Sequence, residues 1–236
     1  MIGTTLHQIE VTSQCNLRCV YCLHPIMSRA KQHMTTHVWL NALRWVQHFV
    51  DAGTQGELVL SGTGEPTLNP RLPEMAREAR YVIGPKRRLV TTTNGLAVTP
   101  ELVEALKPSD IRVYVSLHRP EKAEAAVHLL EAAGLFEQAV MDPVMGPNNW
   151  AGQVQWPDRI NRGGDARPVC PWLSRGWLFV SAEGDFYSCC YANGGTPKLG
   201  HVEEPCRNIS PEPWDICGAC WQRPPKFNER SPELRR

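Results

Sequence analysis

Three cysteines lie within eight residues near the N-terminus, at Cys15, Cys19 and Cys22. Soft thiolate ligands suit iron-sulfur clusters, and three of them on a short loop can bind three corners of a cubane cluster. The fourth iron would then be open to a substrate, like the open position of a catalytic zinc ion. The alternatives are a structural zinc site and buried cysteines that act as small hydrophobes. The spacing, followed by a lone His24, favours the cluster because structural zinc usually takes two close pairs of ligands.

Composition and charge limit the class of protein. The chain has 236 residues, nine cysteines and a formal net charge of +1. This length suits one domain with a small appendage, and the even mixture of charges indicates no nucleic-acid partner. The start resembles no signal peptide, and no apolar run is long enough for a membrane span. We therefore expect a cytoplasmic protein whose cysteines are metal ligands rather than disulfides.

The elements that must position the cysteines follow an alternating pattern. Short apolar runs alternate with helical patterns, which is typical of βα units around a parallel sheet. Helices are predicted to begin near Thr36, Pro70, Thr99 and Pro120, and strands are predicted at residues 6–12, 58–60, 89–93, 111–117 and 139–141. A doubly wound sheet and a partial barrel both fit. Both place functional loops at the carboxyl ends of the strands.

Polar or glycine-rich segments follow each of the first four predicted strands. They are the cysteine loop, Gly62-Thr63-Gly64-Glu65-Pro66, Thr93-Asn94-Gly95 and the segment from Ser116 to His118. We expect these segments to meet at one edge of the sheet. Taken alone, the glycine segment and the Asn-Gly pair are also common turns, and the glycine segment lacks the lysine of a Walker loop. A lone histidine such as His118 is often structural.

The composition shifts towards cysteine, tryptophan and proline after a bridge of about residues 144–164, so we predict two units, residues 1–160 and 165–236. Runs at 177–181 and 185–188 predict a β-hairpin that turns at Gly184. The hairpin would bring Cys170 near Cys189, and the pair Cys217 and Cys220 could complete a four-thiolate site. Zinc and an iron-sulfur cluster both suit such a site. Cys190 could replace Cys189, and Cys206 has no assigned role.

The CxxxCxxC spacing, with Tyr21 before the last cysteine, resembles the radical S-adenosylmethionine (radical SAM) enzymes. The resemblance implies that the three cysteines hold a 4Fe-4S cluster, that its open iron binds the methionine portion of SAM, and that SAM is cleaved to a 5'-deoxyadenosyl radical. It also implies a partial TIM-like barrel of about five to six parallel strands. Glu65 would meet the methionine ammonium, and Asn94 the ribose. The implied SAM-binding residues are Tyr21, Gly62, Gly64, Glu65, Pro66, Thr93, Asn94 and Ser116. Thr63, between the two glycines, departs mildly from the family's Gly-Gly-Glu-Pro pattern.

The Cys-x13-Gly-x4-Cys arrangement resembles the SPASM and twitch modules of radical SAM enzymes. No cysteine follows Cys220, so the resemblance is to the shorter twitch module. It implies a second, auxiliary 4Fe-4S cluster on Cys170, Cys189, Cys217 and Cys220. With all its corners filled, that cluster suits electron transfer. In size and cysteine layout, the chain resembles the twitch-bearing dehydrogenases that oxidise 2-deoxy-scyllo-inosamine.

The sequence therefore predicts a radical SAM oxidoreductase that removes hydrogen from a small molecule and passes the second electron to the auxiliary cluster. Flavodoxin or ferredoxin would be its electron donor. Modification of a peptide or protein is the alternative, less favoured because the sequence has no extra N-terminal domain for a leader peptide. A metal-binding scaffold without SAM chemistry is the alternative outside enzymes. The general base is not identified, and its candidates are His118, Tyr187 and His24.

Overall fold

The computed structural model describes residues 4–53, 56–116, 120–137, 150–151, 153–154, 169–218 and 220. A single sheet contains strands from the beginning and the end of these residues. Its strands, β1 to β8 in chain order, are Thr5–Ile9, Leu58–Val59, Leu89–Thr93, Arg112–Val115, Phe136–Glu137, Trp177–Val180, Asp185–Tyr187 and Gly200–His201. The order across the sheet is β5-β4-β3-β2-β1-β6-β7-β8.

The six strands from β5 to β6 are parallel neighbours, and β7 and β8 are antiparallel. Parallel strands need crossover connections, which helices supply. The helices, α1 to α5 in chain order, are Thr36–Asp51, Leu72–Ile83, Pro100–Leu106, Pro120–Ala132 and Pro171–Ser174. The fold is α/β with a mostly parallel sheet and a cysteine-rich C-terminal region. This confirms the predicted partial TIM-like barrel.

Helix α1 shows how the local sequence sets the helices. Trp39, Leu43 and Val46 lie on one face and are buried in the core. The helix begins at Thr36, where the sequence predicts it, and its cap is Thr35, whose hydroxyl accepts a hydrogen bond from the Val38 amide (3.3 Å). For α3, the predicted start is confirmed, since the Thr99 hydroxyl caps it and Pro100 is its first residue.

The main core lies between the sheet and the helices, where buried strand residues such as Leu6, Ile9 and Leu58 pack against α1 and α2. A smaller apolar cluster is formed by Phe179, Tyr187 and Ala192, with the half-buried Trp172 and Cys190 packed against it. Cys190, next to the predicted ligand Cys189, therefore packs against this smaller cluster.

The predicted β-hairpin is confirmed as β6 and β7, with Gly184 in the turn at a φ of +100°. Strand β6 also pairs in parallel with β1, so the hairpin extends the barrel's own sheet. The predicted strand at residues 139–141 lies outside the described residues, and β5 precedes it. The predicted boundary between residues 160 and 165 likewise stays a prediction. No helix in the described ranges has the length and apolar character to cross a membrane.

Candidate active site and the two cysteine groups

The cysteine loop follows β1 and is closed by pairing between its two ends. The Ser13 amide donates to the Gln32 carbonyl (2.9 Å) and the Met34 amide to the Val11 carbonyl (3.0 Å). The Ser13 hydroxyl also donates to the Ala30 carbonyl (2.7 Å). These bonds hold residues 14–31 as a loop on a fixed stem at the carboxyl end of β1.

Cys15, Cys19 and Cys22 are half-buried on this loop. Burial raises the pKa of the Cys15 thiol; the Glu65 carboxylate and the Cys22 and Cys19 thiols add to this, whereas the Leu17 amide opposes it. That amide donates to the Cys15 sulfur (3.4 Å), and the His24 amide donates to Cys22 in the same way (3.4 Å). Amide donors would stabilise thiolates, so the loop fits a cluster that needs deprotonated ligands.

Among the described residues, no three His, Cys, Asp or Glu side chains are close enough to hold one metal ion. A single ion needs all its ligands around one point, whereas a cubane takes thiolates at separate corners. The finding therefore concerns sites for a single ion.

The glycine segment after β2 contacts the residues that lead into the cysteine loop. A Cβ at Gly64 would lie 2.2 Å from the Thr12 carbonyl oxygen, and one at Gly62 would lie 2.5 Å from Cγ of Glu10. The Glu65 amide donates to the Gln14 carbonyl (2.7 Å). Gly64 therefore leaves no room for a side chain beside the Thr12 backbone, and Gly62 leaves none beside the Glu10 side chain.

The buried Glu65 carboxylate joins this segment to the end of β3. One oxygen accepts from the Thr67 and Thr93 hydroxyls (2.6 and 2.7 Å), and the other accepts from the Asn94 amide (2.7 Å). A carboxylate oxygen accepts more than one hydrogen bond. The predicted contact with the methionine ammonium stays a prediction, as does the role of Pro66, which is buried at the start of the next turn.

Asn94 links the end of β3 to the cysteine motif itself. Its side-chain amide donates to the Asn16 side-chain oxygen (2.8 Å), and its own oxygen accepts from the Leu96 amide (3.0 Å). The Ser116 amide donates to the Thr93 carbonyl (2.8 Å), so the ends of β3 and β4 adjoin. The structure thus brings together three of the four predicted segments and places Ser116 beside them, while His118 lies outside the described residues.

Tyr21, a candidate SAM contact, and the candidate bases His24 and Tyr187 lie in different surroundings. The Tyr21 carbonyl accepts from the Trp150 indole (2.9 Å). His24 is buried, and its Nε2 lies 3.1 Å from the Ser13 carbonyl. Because a carbonyl only accepts, Nε2 carries the proton and Nδ1 is left with a lone pair. Burial raises the pKa of Tyr187 above its usual range, which favours the protonated phenol.

The second cysteine group consists of Cys170, Cys189, Cys217 and Cys220, which are all half-buried. Burial raises the pKa of Cys170 to about 11, with contributions from Cys220 and Cys217. Burial likewise raises the pKa of Cys189 well above its usual value, and Cys190, Cys170 and Cys217 add to this. Cys170 therefore lies within electrostatic range of Cys189, Cys217 and Cys220.

Cys190 lies beside this group. Burial raises its pKa to about 12, with Cys170, Glu10 and Cys220 contributing. Cys206 instead packs against the main core.

Sequence reasoning missed a buried ion pair beside these segments. Arg29 of the cysteine loop contacts Glu10 at the end of β1 (2.9 Å) and Glu183 of the β6–β7 turn (2.8 Å). A signal was present: Glu10 directly follows an apolar strand, and residues 11–50 contain no Asp or Glu that could pair locally with Arg29.

A cysteine loop, a glycine segment and a polar segment on successive parallel strands form the arrangement that the resemblance to radical SAM enzymes implies. The sequence matches the radical SAM superfamily over residues 9–140, and the chain belongs to that superfamily. The predicted radical SAM enzyme is thereby confirmed, with SAM and one 4Fe-4S cluster as the cofactors that the superfamily implies.

A curated relative and two solved structures show the range of similar proteins. The AdoMet-dependent heme synthase of Methanosarcina barkeri is 36% identical over 136 residues, which are 56% of this chain and 36% of that protein. The match thus spans only about a third of the relative's length. BtrN in complex with AdoMet and 2-DOIA has a TM-score of 0.67 at 18% identity, covering 84% of this chain and 78% of BtrN.

The enzyme anSMEcpe with bound AdoMet and the Cp18Cys peptide has a TM-score of 0.58 at 15% identity, covering 86% of this chain and 78% of that one. At these identities the two structures support the shared fold.

Proposed function

We propose that the chain is an oxidoreductase that cleaves SAM reductively, removes a hydrogen atom from a small molecule and passes the second electron to an auxiliary 4Fe-4S cluster. The observation that carries this proposal is the second cysteine group. Cys170 lies within electrostatic range of Cys189, Cys217 and Cys220, and the hairpin that precedes Cys189 shares a sheet with the strand that leads into the first group. A second cluster with four thiolates suits electron transfer rather than substrate binding.

The first site would bind SAM with groups from three strand ends. When bound, the cluster and SAM supply the radical that removes the hydrogen atom. Cys15, Cys19 and Cys22 would hold the cluster. The glycine segment approaches closely enough to offer its backbone to the methionine portion, while Asn94 and Ser116 lie at the strand ends where a ribose would be bound. Glu65 keeps these segments in register through its hydrogen bonds to Thr93 and Asn94.

The electron balance explains why a second cluster is useful. Loss of a hydrogen atom leaves a carbon radical on the substrate. Conversion of that radical into a carbonyl or imine releases one electron and one proton. The auxiliary cluster would accept the electron, and a protein base would accept the proton.

The candidates for the base differ in protonation. The raised pKa of Tyr187 keeps its phenol protonated at neutral pH, which disfavours it as a base. Burial lowers the pKa of His24, so its ring is neutral and Nδ1 is available as an acceptor. Within the part of the chain described, that nitrogen is buried and has no hydrogen-bond partner. His24 and His118 therefore remain candidates, and neither is assigned as the base.

The solved structures support two substrate classes. BtrN was crystallised with 2-DOIA, which favours a small molecule, whereas anSMEcpe was crystallised with peptides, which favours the alternative of peptide modification. A donor such as flavodoxin or ferredoxin would deliver the electron that starts SAM cleavage.

Formation of 5'-deoxyadenosine tests SAM cleavage. The protein would be reconstituted anaerobically with iron and sulfide, reduced, and mixed with SAM. We expect 5'-deoxyadenosine from the wild type and from Cys206→Ala, and none from Cys19→Ala. No product from a wild type that contains iron would favour the metal-binding scaffold without SAM chemistry.

Deuterium transfer tests the substrate class. A panel of deuterated polyhydroxylated amines and alcohols and a matched panel of short peptides would each be added to the reaction. Deuterium in 5'-deoxyadenosine, together with an oxidised small molecule, supports the proposal. Deuterium transfer from peptides alone overturns the small-molecule class in favour of peptide modification.

A further inference from the structure

Three buried or partly buried charged residues form a compact group beside the candidate active site. Arg29 contacts Glu10 through two parallel bonds, from Nη1 to Oε2 (2.9 Å) and from Nη2 to Oε1 (3.2 Å). Nη1 also donates to Oε2 of Glu183 (2.8 Å). The side chains of Arg29 and Glu10 are 3% and 0% exposed, and that of Glu183 is 22% exposed. We call Glu10, Arg29 and Glu183 the charge cluster.

The charge cluster touches the glycine segment that we assign to SAM. Oε1 of Glu10 accepts from the Thr63 amide (2.8 Å) and from the Thr63 hydroxyl, and Nη2 of Arg29 donates to that hydroxyl (3.3 Å). Thr63 is the residue that departs from the family's glycine pair. Its side chain therefore has a specific task here, since it completes the polar surroundings of Glu10.

The same cluster touches the second cysteine group. Nε of Arg29 donates to the Ala192 carbonyl (3.4 Å), two residues after Cys190. Oε2 of Glu10 accepts from the Ala182 amide in the hairpin turn (3.1 Å). The charge cluster thus lies next to the backbone that carries Cys189 and Cys190.

A second contact fixes the cysteine loop on this backbone. The Ser28 amide donates to the Asn193 side-chain oxygen (2.8 Å). A Cβ at Gly194 would lie 2.1 Å from the Ser28 hydroxyl oxygen, so the two segments are in direct contact. The cysteine loop, the glycine segment and the second cysteine group all meet at Arg29.

Stability alone is a poor explanation for such a group. Burying an ion pair has a desolvation cost that offsets much of the attraction, and well-packed apolar residues are often as stable. Two carboxylates and one guanidinium also carry a formal net charge of −1. In a medium of low dielectric constant, a fixed negative charge opposes the addition of an electron nearby.

We propose that the charge cluster positions the second cysteine group against the SAM-binding segments, and that its net negative charge lowers the reduction potential of the auxiliary cluster. This inference depends on the auxiliary cluster of the proposed function. A lower potential would keep that cluster from being reduced by the external donor before the substrate radical forms. Glu10 and Arg29 are positioning residues in this account.

The decisive experiment measures the midpoint potential of the auxiliary cluster. An anaerobic redox titration, followed by EPR, would use protein with Cys15, Cys19 and Cys22 replaced by alanine, so that only the second cluster contributes. In this background Glu10→Gln removes the charge and keeps the size of the side chain. We expect a shift of the midpoint to more positive potential, and a smaller shift in the same direction for Glu183→Gln.

The matched control is Glu203→Gln, because Glu203 is a carboxylate 51% exposed on the surface. We expect no shift in this variant. If Glu10→Gln lowers the iron content, the potential of Glu183→Gln is the deciding measurement. The Glu183 side chain is partly exposed in a turn, so its replacement should disturb the fold less. An unchanged potential in Glu183→Gln, or in iron-replete Glu10→Gln, overturns the inference.

Failure of the proposed function gives a different result. If the background protein has no iron-sulfur signal after reconstitution, there is no auxiliary cluster, and the proposed function fails together with this inference. If the signal is present and the potential is insensitive to Glu10 and Glu183, the inference alone fails.

Discussion

At the scale of single residues, Glu65 shows how a carboxylate can serve a ligand site through its own hydrogen bonds. Its oxygens accept from Thr67, in the turn that follows the glycine segment, and from Thr93 and Asn94 at the end of β3. Removing a buried acceptor leaves its donors without partners, which costs about 1–3 kcal/mol. The segments that would bind SAM depend on this one side chain for their relative position.

Replacement of Glu65 should therefore weaken both SAM binding and stability. We expect Glu65→Ala to lower the free energy of unfolding by about 1–3 kcal/mol and to reduce SAM affinity, because Asn94 and Thr93 lose a shared acceptor. Equilibrium dialysis and urea denaturation under anaerobic conditions measure the two effects. Glu74→Gln, on the surface of α2, is the control and should change SAM affinity little. Full affinity in Glu65→Ala would refute this role.

His7 predicts a pH dependence of stability. It is buried, and its ring stacks on that of Trp177 with 3.8 Å between the ring centroids. Burial lowers its pKa from 6.5 to about 4, and the nearby Arg87 and Arg175 charges contribute. As the pH falls below 6.5, the unfolded chain takes up a proton that the folded chain does not, so acid favours unfolding.

The stabilisation from neutral His7 is present above pH 6.5 and lost as the pH falls towards 4. This loss amounts to about 2 kcal/mol between about pH 7 and about pH 5. In anaerobic urea denaturation, His7→Phe should lose less stability than the wild type over this interval. The exposed His37→Gln is the control and should behave like the wild type. Equal pH dependence in His7→Phe and the wild type would contradict the assignment.

At the scale of elements, the glycine segment after β2 depends on close contact with the start of the cysteine loop. A methyl group at Gly64 would meet the Thr12 carbonyl at 2.2 Å, and backbone atoms cannot move aside as a side chain can. We expect Gly64→Ala to destabilise the protein by at least 2 kcal/mol and to abolish SAM binding.

Gly195→Ala is the matched control, since a Cβ there meets nothing within 4 Å. It should change the stability by no more than about 0.5 kcal/mol. Thermal denaturation and SAM binding compare the two variants. A stable, SAM-binding Gly64→Ala protein would show that this contact is dispensable.

Helix α1 holds the end of the sheet through Trp45. The fully buried indole donates to the carbonyl of Val202, the residue after β8 (2.9 Å). It also packs against Phe186 of β7, with 4.8 Å between the ring centroids. We expect Trp45→Ala to lower the free energy of unfolding by about 3–5 kcal/mol, measured by urea denaturation. Leu40→Ala, at a position 53% exposed on the same helix, should cost much less. Equal effects would contradict the tertiary role of Trp45.

The sequence predicted correctly those elements that are set by residues within a few positions of one another, such as helix caps and tight turns. The Thr99 and Pro100 start of α3 and the hairpin at Gly184 were both correct for this reason. The pairing of β1 with β6 was missed, because those strands are about 170 residues apart and nothing in either strand identifies its partner. The contact of Arg29 with Glu10 and Glu183 was missed for the same reason.

At the scale of the whole molecule, the sheet is the frame that relates the two cysteine groups. Strand β1 leads into the first group, and its parallel neighbour β6 begins soon after Cys170 of the second. The charge cluster adds side-chain contacts between the same two regions. Two cysteine groups held by one sheet would suit the proposed reaction, in which one site starts the radical chemistry and the other accepts an electron.

The central claim is that the chain carries two 4Fe-4S clusters, and the iron content of reconstituted protein tests it most directly. We expect about eight iron atoms per chain in the wild type and in Cys206→Ala. The double variant Cys217→Ala with Cys220→Ala should keep about four, as should the triple variant of Cys15, Cys19 and Cys22. About four iron atoms in the wild type, unchanged by loss of Cys217 and Cys220, would contradict the two-cluster account.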